Sequence, residues 1–286
     1  MGDVQPLKPS DSYCGRVEAF FIKMKPTTAK LTAALVLCTA AVSFAARPLI
    51  IDDADPLDFK QFKIEGGAWY EKDSGCKHWD FPFGAAAGVF PSLEFSAGVG
   101  GQFEERTEVD EKSGEECTRS EHGIGDLILT AKWQFLKEMT WFPRQAIVPA
   151  AKFPTSDKDK GLGSGKTDYD LTWIASKSLC AKMGVHINVG YSWLGKSADE
   201  DVGDILHYGV ALDYRIVNPL QWVGEVYADK ELRRGADHVV MFNTGLRWNP
   251  IDTLIVDCAA GSRLSGDAPD FTATAGLTWT FGFTKE

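Results

Sequence analysis

The chain has 286 residues, 44% of them hydrophobic, and a formal net charge of -10. That acidity argues against a nucleic-acid partner, whose phosphates want a basic surface. Mean hydropathy is -0.16, which looks soluble but does not exclude a membrane barrel, whose strands alternate apolar and polar residues so that no window becomes strongly hydrophobic. Nine Trp is a high count, and interfacial aromatic belts use Trp and Tyr.

In chain order, Lys23, Lys25 and Lys30 precede the apolar run from Leu31 to Ala46, with small residues at Ser43 and Ala45. A basic region, a short apolar region and small residues describe an export signal, with cleavage expected after Ala45. The run is too short and too rich in Ala and Thr for a good transmembrane helix. Leu37 before Cys38 does not fit a lipoprotein signal, which wants a small residue there. The signal is expected over 24–45, Met24 is read as the true start, and 1–23 as a mis-called upstream extension. Residues 46–58 are expected to be a periplasmic or lumen-inserted segment ahead of a barrel over 59–286.

From there the period is two almost throughout, the strand signature. Val185, Ile187, Val189, Tyr191 and Trp193 share one face; His186, Asn188, Gly190 and Ser192 share the other. Similar alternation predicts twelve strands near 59–71, 79–90, 92–106, 124–136, 144–153, 167–178, 182–194, 204–217, 219–230, 237–249, 251–263 and 270–283. Many exceed the usual soluble strand and suit a tilted crossing of a bilayer. Connections alternate between tight and long polar ones, with 137–143 as a longer turn on the tight side. Short periplasmic turns and long outer loops do this. The fold class is therefore all-β: a transmembrane antiparallel up-and-down β-barrel with both termini periplasmic. A soluble sandwich would have shorter strands and mixed loop lengths.

The polar face carries Glu94, Lys132, Lys152, Asp168, Asp170, His186, His207, Asp213, Arg215, Glu225, Asp229, Arg247 and Asp257. So much charge is costly in a packed core, so these residues are read as lining a wetted lumen. Opposed charges, with Arg215, Arg247, Lys132 and Lys152 across from Asp213, Glu225, Asp168 and Asp257, would set up a transverse field. Trp133, Phe135, Trp248, Trp279, Phe281 and Phe283 form one expected girdle, and Trp69, Tyr70, Trp79, Tyr191 and Trp193 the other. Twelve strands should leave a slim channel, with two candidate constrictions: the N-terminal segment with Asp52, Asp53 and Asp55, and the loop Lys158–Lys166 with Gly161, Gly163 and Gly165.

Some motifs mislead. Lys160–Thr167 nearly spells a phosphate-binding loop, but Lys160 stands where Gly is required and a strand follows where a helix should. His186 sits where a barrel phospholipase would carry its catalytic His, but Asn188 replaces the Ser two residues on, and an unactivated site does no nucleophilic chemistry. His186, His207 and His238 are read as lumen-lining groups, and no catalytic residue, cofactor or metal site is assigned. The acidic stretch Glu104–Glu121 is read as a solvated loop, with attraction of cations that bridge lipopolysaccharide as the functional alternative. Cys76 and Cys117 fall in neighbouring outer loops, where export permits a disulfide. Cys180 falls in a periplasmic turn and Cys258 on the lipid face.

Several stretches together resemble the transporter-like outer-membrane channel family named for the meta-pathway of phenol degradation. They are Arg47-Pro48-Leu49 with Asp52-Asp53-Ala54, Gly123 to Leu127, Phe153-Pro154-Thr155, and Gly161 to Gly165 with Thr167-Asp168-Tyr169. The resemblance implies a monomeric barrel that passes small molecules, hydrophobic or aromatic ones among them, without fixing a substrate. The final strand also resembles the aromatic-ended signal read by the barrel-assembly machinery, although Thr284-Lys285-Glu286 follow Phe283. The expected function is passive diffusion across the outer membrane, with membrane lipid, lipopolysaccharide and a small solute as partners. The alternatives are a plugged barrel with a structural, adhesive or binding role, and a lipid hydrolase.

Overall fold

The structure, a computed structural model, describes residues 47–282 apart from 75, 110–115 and 197–201. The expected signal and the 1–23 extension lie outside the described residues, as does Phe283.

Period-two segments build one antiparallel sheet: β1 (Gln61–Asp73), β2 (Cys76–Phe90), β3 (Leu93–Val109), β4 (Glu116–Ile124), β5 (Leu127–Leu136), β6 (Arg144–Phe153), β7 (Asp168–Cys180), β8 (Met183–Trp193), β9 (Ile205–Val217), β10 (Leu220–Glu231), β11 (His238–Ile251), β12 (Leu254–Ser265) and β13 (Phe271–Gly282). The sheet closes because β1 pairs with both β2 and β13, from Gln61↔Gly282 to Lys72↔Phe271. β4 and β5 both pair with β3 and together form one interrupted wall strand, so the barrel is twelve-stranded.

Burial is inverted relative to a soluble barrel. Ile187 and Val189 on β8 are 40% and 42% exposed, whereas His186 and Asn188 are 9% and 6% exposed. On β13, Thr272, Thr274 and Thr278 are buried while Leu277, Trp279 and Phe281 face out. An apolar outer band over a polar interior is the pattern of a lipid-embedded barrel. Trp133, Phe135, Trp248, Trp279 and Phe281 are exposed near the end of the barrel where most hairpin turns are short. Towards the long-loop end, Tyr70 packs on Trp79 at 4.5 Å and Tyr191 on Trp193 at 4.9 Å between ring centroids.

Three sequence expectations need correction. The acidic stretch is not a free loop: β3 runs to Val109 and β4 starts at Glu116, making a hairpin that extends beyond the rest of the wall. In it Glu104 is buried and accepts a 2.5 Å hydrogen bond from Arg106. The connection near 72–78 shrinks to residues 74 and 75. Trp69 points inward, not to lipid: it is opposite inward-facing Asp80 and donates from Nε1 to Glu71 at 2.8 Å.

Cys76 is a free thiol, 3.8 Å from Glu104 Oε1, and the Cys117 side chain lies outside the described residues. Register sets the two backbones apart. Cys76 is opposite Arg106 on one flank of β3, whereas Cys117 is opposite Glu108 on the other. Two strand spacings of about 4.8 Å already exceed the Cα separation of about 7 Å that a disulfide tolerates.

Candidate functional site: the occupied lumen

Residues 47–58 form no strand, yet they run through the barrel interior and touch wall after wall. Leu49 and Ile51 are buried against Ala211 and Val223, and Ala54 against Ala146, Val148 and Ile174. Among the described residues, two of the three buried apolar clusters therefore include this segment. The hydrophobic interior of the barrel is largely what it and the wall make together.

Polar contacts fix its path. It starts at β12 and β13, where Arg47 meets Asp257 at 3.5 Å and Thr274 at 3.1 Å. Arg247 of β11 donates to the Arg47 carbonyl at 2.6 Å. Glu225 of β10 accepts from the N–H groups of Ile50 and Ile51 at 2.9 and 2.7 Å, and from Asn243 at 2.7 Å. Lys132 of β5 pairs with Asp52 at 2.7 Å. Ser176 of β7 accepts from the Ala54 N–H at 3.0 Å. Arg144 of β6 holds Asp55 at 2.8 Å. Glu94 of β3 accepts from the Leu57 N–H at 2.8 Å, and the chain then enters β1. Burial raises the Asp52 carboxyl above its ordinary range despite the Lys132 cation, and raises that of Asp55 with help from Asp53.

The predicted lining residues separate into two tiers. Glu94, Lys132, His186, Asp213, Glu225, Arg247 and Asp257 lie one to five residues from the short-turn ends of their strands, at the level that the segment crosses. Lys152, Asp168, Asp170 and His207 lie near the long-loop end. There Lys152 bridges Asp168 at 2.5 Å and Asp126 at 3.4 Å, and His207 meets Asp170 at 2.7 Å. Arg215 shares the inward parity but stands exposed near the strand tip.

This geometry corrects the transverse field. The cations do not face free acids across open water. Lys152 bonds its neighbour on β7, Lys132 bonds the segment, and Glu225 bonds main-chain amides. Below the segment, towards the short turns, a cavity of about 600 Å³ is lined by Asp52, Asp53, Asp55, Lys63, Glu94 and Lys132 among others.

The second constriction candidate sits elsewhere. Gly161 and Gly165 take positive φ (74° and 65°) in a loop that buries Leu162 beside Gln102, Gly125 and Ile128 at the break between β4 and β5. Gly163 lies next to Ser156 and Asp126. Thr155 spans the break, accepting from the Leu127 N–H at 2.8 Å and donating to the Gly125 carbonyl at 3.1 Å. Three separate sequence motifs thus converge on one wall feature.

Ser176, His186 and Asp213 stand in the order of a nucleophilic relay: Ser176 Oγ lies 2.8 Å from His186 Nδ1, and His186 Nε2 lies 2.8 Å from Asp213. Ser176 is nevertheless fully buried, with Ala54 donating to its Oγ. The relay as it stands holds the segment and offers no attack path. Among the described residues no group of three or more His, Cys, Asp or Glu could hold a metal ion.

Sequence reasoning missed Arg47, Gln134, Arg144, Ser176 and Asn188 as contact residues. Ser176 and Asn188 sit at inward positions of strands whose phase the sequence shows; being uncharged, they carry no burial cost that would single them out there.

No curated protein sequence matches this chain. Among solved structures it is similar to the COG4313 outer membrane channel from Pseudomonas putida F1, with TM-score 0.62 and 13% identity over 80% of this chain and 98% of that one. It is also similar to the transport unit of the autotransporter AIDA-I from Escherichia coli, with TM-score 0.56 and 10% identity over 91% and 100%. The NanC porin aligns with TM-score 0.51 and 11% identity over 76% and 98%. At these identities the likeness is one of fold. The sequence itself matches a family model over residues 47–281, from the N-terminal segment almost to the end of the last strand, and the chain therefore belongs to the family described as "Putative MetA-pathway of phenol degradation".

Proposed function

We propose that the chain is a monomeric outer-membrane channel for passive diffusion of small molecules, hydrophobic or aromatic ones included, and that residues 47–58 set its constriction. The observation that carries the reading is the crossing of the lumen by a segment that noncovalent contacts seat against the wall. The family match and the channel fold support it. In this reading the signal over 24–45 directs export, both termini face the periplasm, and the long-loop end meets lipopolysaccharide. The barrel-assembly machinery inserts the chain, and the barrel carries no enzyme activity.

A slim passage follows from barrel size, since eight strands are filled by side chains and sixteen to eighteen leave an aqueous pore. The test is single-channel conductance of refolded residues 46–286 in a planar bilayer, with and without 46–58. Discrete steps that enlarge on truncation support the reading. No steps in either form would favour a plugged barrel with a structural or binding role, which the density of contacts around Glu225 and Lys132 makes the second reading.

A further inference from the structure

A bent, strandless chain inside a barrel has no neighbouring strand to satisfy its amides, so other groups must. Along residues 47–58 the wall does so with side chains, and it reads main chain. Arg247 takes the Arg47 carbonyl and Glu225 takes two successive N–H groups, those of Ile50 and Ile51. Asn188, with its amide in the orientation its neighbours require, accepts from the Asp52 N–H at 2.8 Å and donates to the Asp52 carbonyl at 2.9 Å. Ser176 and Gln134 take the Ala54 N–H and carbonyl, the latter at 2.9 Å. Glu94 takes the Leu57 N–H. These six readers stand on β11, β10, β8, β7, β5 and β3.

Two-point reading of one residue's N–H and C=O is how a neighbouring strand recognises an added peptide. Here scattered side chains reproduce it. Main-chain contacts carry no information about side chains, so any peptide that takes the same bent path presents the same groups. Glu225, Asn188 and Ser176 are 4%, 6% and 0% exposed, and buried polar groups that lose their partners are unfavourable until something replaces them.

We propose that the lumen is a binding site for the main chain of short peptides that take the segment's bent path, occupied in cis by residues 47–58 and open to a peptide in trans when that segment leaves. The inference rests on where the segment lies and not on the channel reading. Side chains add to it through Arg47–Asp257, Asp52–Lys132 and Asp55–Arg144, so the native segment is the tightest occupant and other peptides bind less tightly.

The test uses the full chain, folded first. A protease recognition sequence is inserted between exposed Phe59 and Lys60, the N-terminal segment carries a fluorophore, and the folded protein is nicked in detergent. Anisotropy follows displacement of the labelled segment by three synthetic peptides. The first is the native 47–58 sequence. The second keeps Arg47, Leu49, Ile51, Asp52, Ala54 and Asp55 but has alanine at 50, 57 and 58. The third keeps every side chain but replaces the Ile51 and Ala54 N–H groups with ester oxygens.

The native peptide should displace, the alanine peptide should follow within about ten-fold, and the ester peptide should fall about 100-fold or more behind, as two lost hydrogen bonds to buried acceptors require. An ester peptide equal to the native one, or better than the alanine peptide, would overturn the proposal. Where no peptide displaces the segment, the Glu225→Ala/Asn188→Ala chain decides. Release on nicking supports main-chain reading; retention equal to the parent overturns it. Neither result bears on whether the intact barrel conducts.

Discussion

Replacing Lys132 with Met tests whether the segment is seated by its contacts. Lys132 is 7% exposed, Asp52 is 5% exposed, and they meet at 2.7 Å. Removing one member of a buried pair costs about 3–5 kcal/mol, because the other charge stays buried and uncompensated. Even the lower figure shifts the balance between seated and released segment on the order of 100-fold. The sign with pH follows from Asp52, whose carboxyl burial already raises. Without the cation it rises further, and below that value the neutral acid sits in place at less cost. The defect should therefore be mild in acid and grow as pH rises. Planar-bilayer recordings should show longer or larger openings in Lys132→Met than in the parent, with the difference widening from acid to alkaline pH. Adding Asp52→Asn should restore much of the closed behaviour, since a neutral amide needs no cation; the double-mutant cycle isolates the pair. Parent-like openings in Lys132→Met across the whole range would refute the idea that this ion pair seats the segment.

Three further outcomes are expected. Cys180 is exposed at the end of β7 beside a short turn whereas Cys258 is exposed on the outer wall, so a membrane-impermeant maleimide should label Cys180 in bilayer-embedded protein and reach Cys258 only after unfolding; early Cys258 labelling would take it out of the lipid face. Glu138 accepts from the Ser178 N–H and hydroxyl and pairs with Lys177 and Arg144. Against the desolvation that raises it, these groups hold its carboxyl below the ordinary value near 4.5. The stability it gives the 137–143 turn is present above that value and lost as pH falls through the depressed one, so Ser178 amide exchange should speed up there, and Glu138→Gln should remove the dependence. For Ser176, an activity-based phosphonate should leave the native barrel unlabelled, while Ser176→Ala should weaken segment seating by about 1–3 kcal/mol; covalent labelling at Ser176 would make the relay a working one.

Much of the fold is legible because the barrel obeys one rule over and over. On β8 and β9 the parity that puts His186, Asn188, Ala211 and Asp213 inside is written in the sequence, and the structure keeps it. The errors have physical causes. Glu104–Glu121 reads as a solvated loop by charge density, but an extended hairpin can be polar on both faces, and Thr107 and Thr118 still bond across it at 3.2 Å. The height of Trp69 along β1 suggests a lipid-facing belt, but Glu65 and Glu71 of the same parity face inward. Arg215 has the right parity but lies two residues from the end of β9, where the interior gives way to solvent.

The deeper lesson lies in the inward charges. By sequence, Glu225 and Lys132 point to a wet lumen, on the sound premise that buried unpaired charge is costly. The premise holds, but water is only one way to satisfy it. A peptide segment carrying its own carboxylates and a row of free amides is another, and it leaves Glu225 at 4% and Lys132 at 7% exposure. A period-two pattern cannot tell these solutions apart, because both need the same polar residues at the same inward positions. The difference is whether something in the chain ahead of the first strand can match them. Arg47, Asp52 and Asp55 do so, meeting Asp257, Lys132 and Arg144 in turn. The N-terminal segment and the polar face are therefore one recognition problem, and a lumen lined with charge is no evidence of an open one until that segment has been placed.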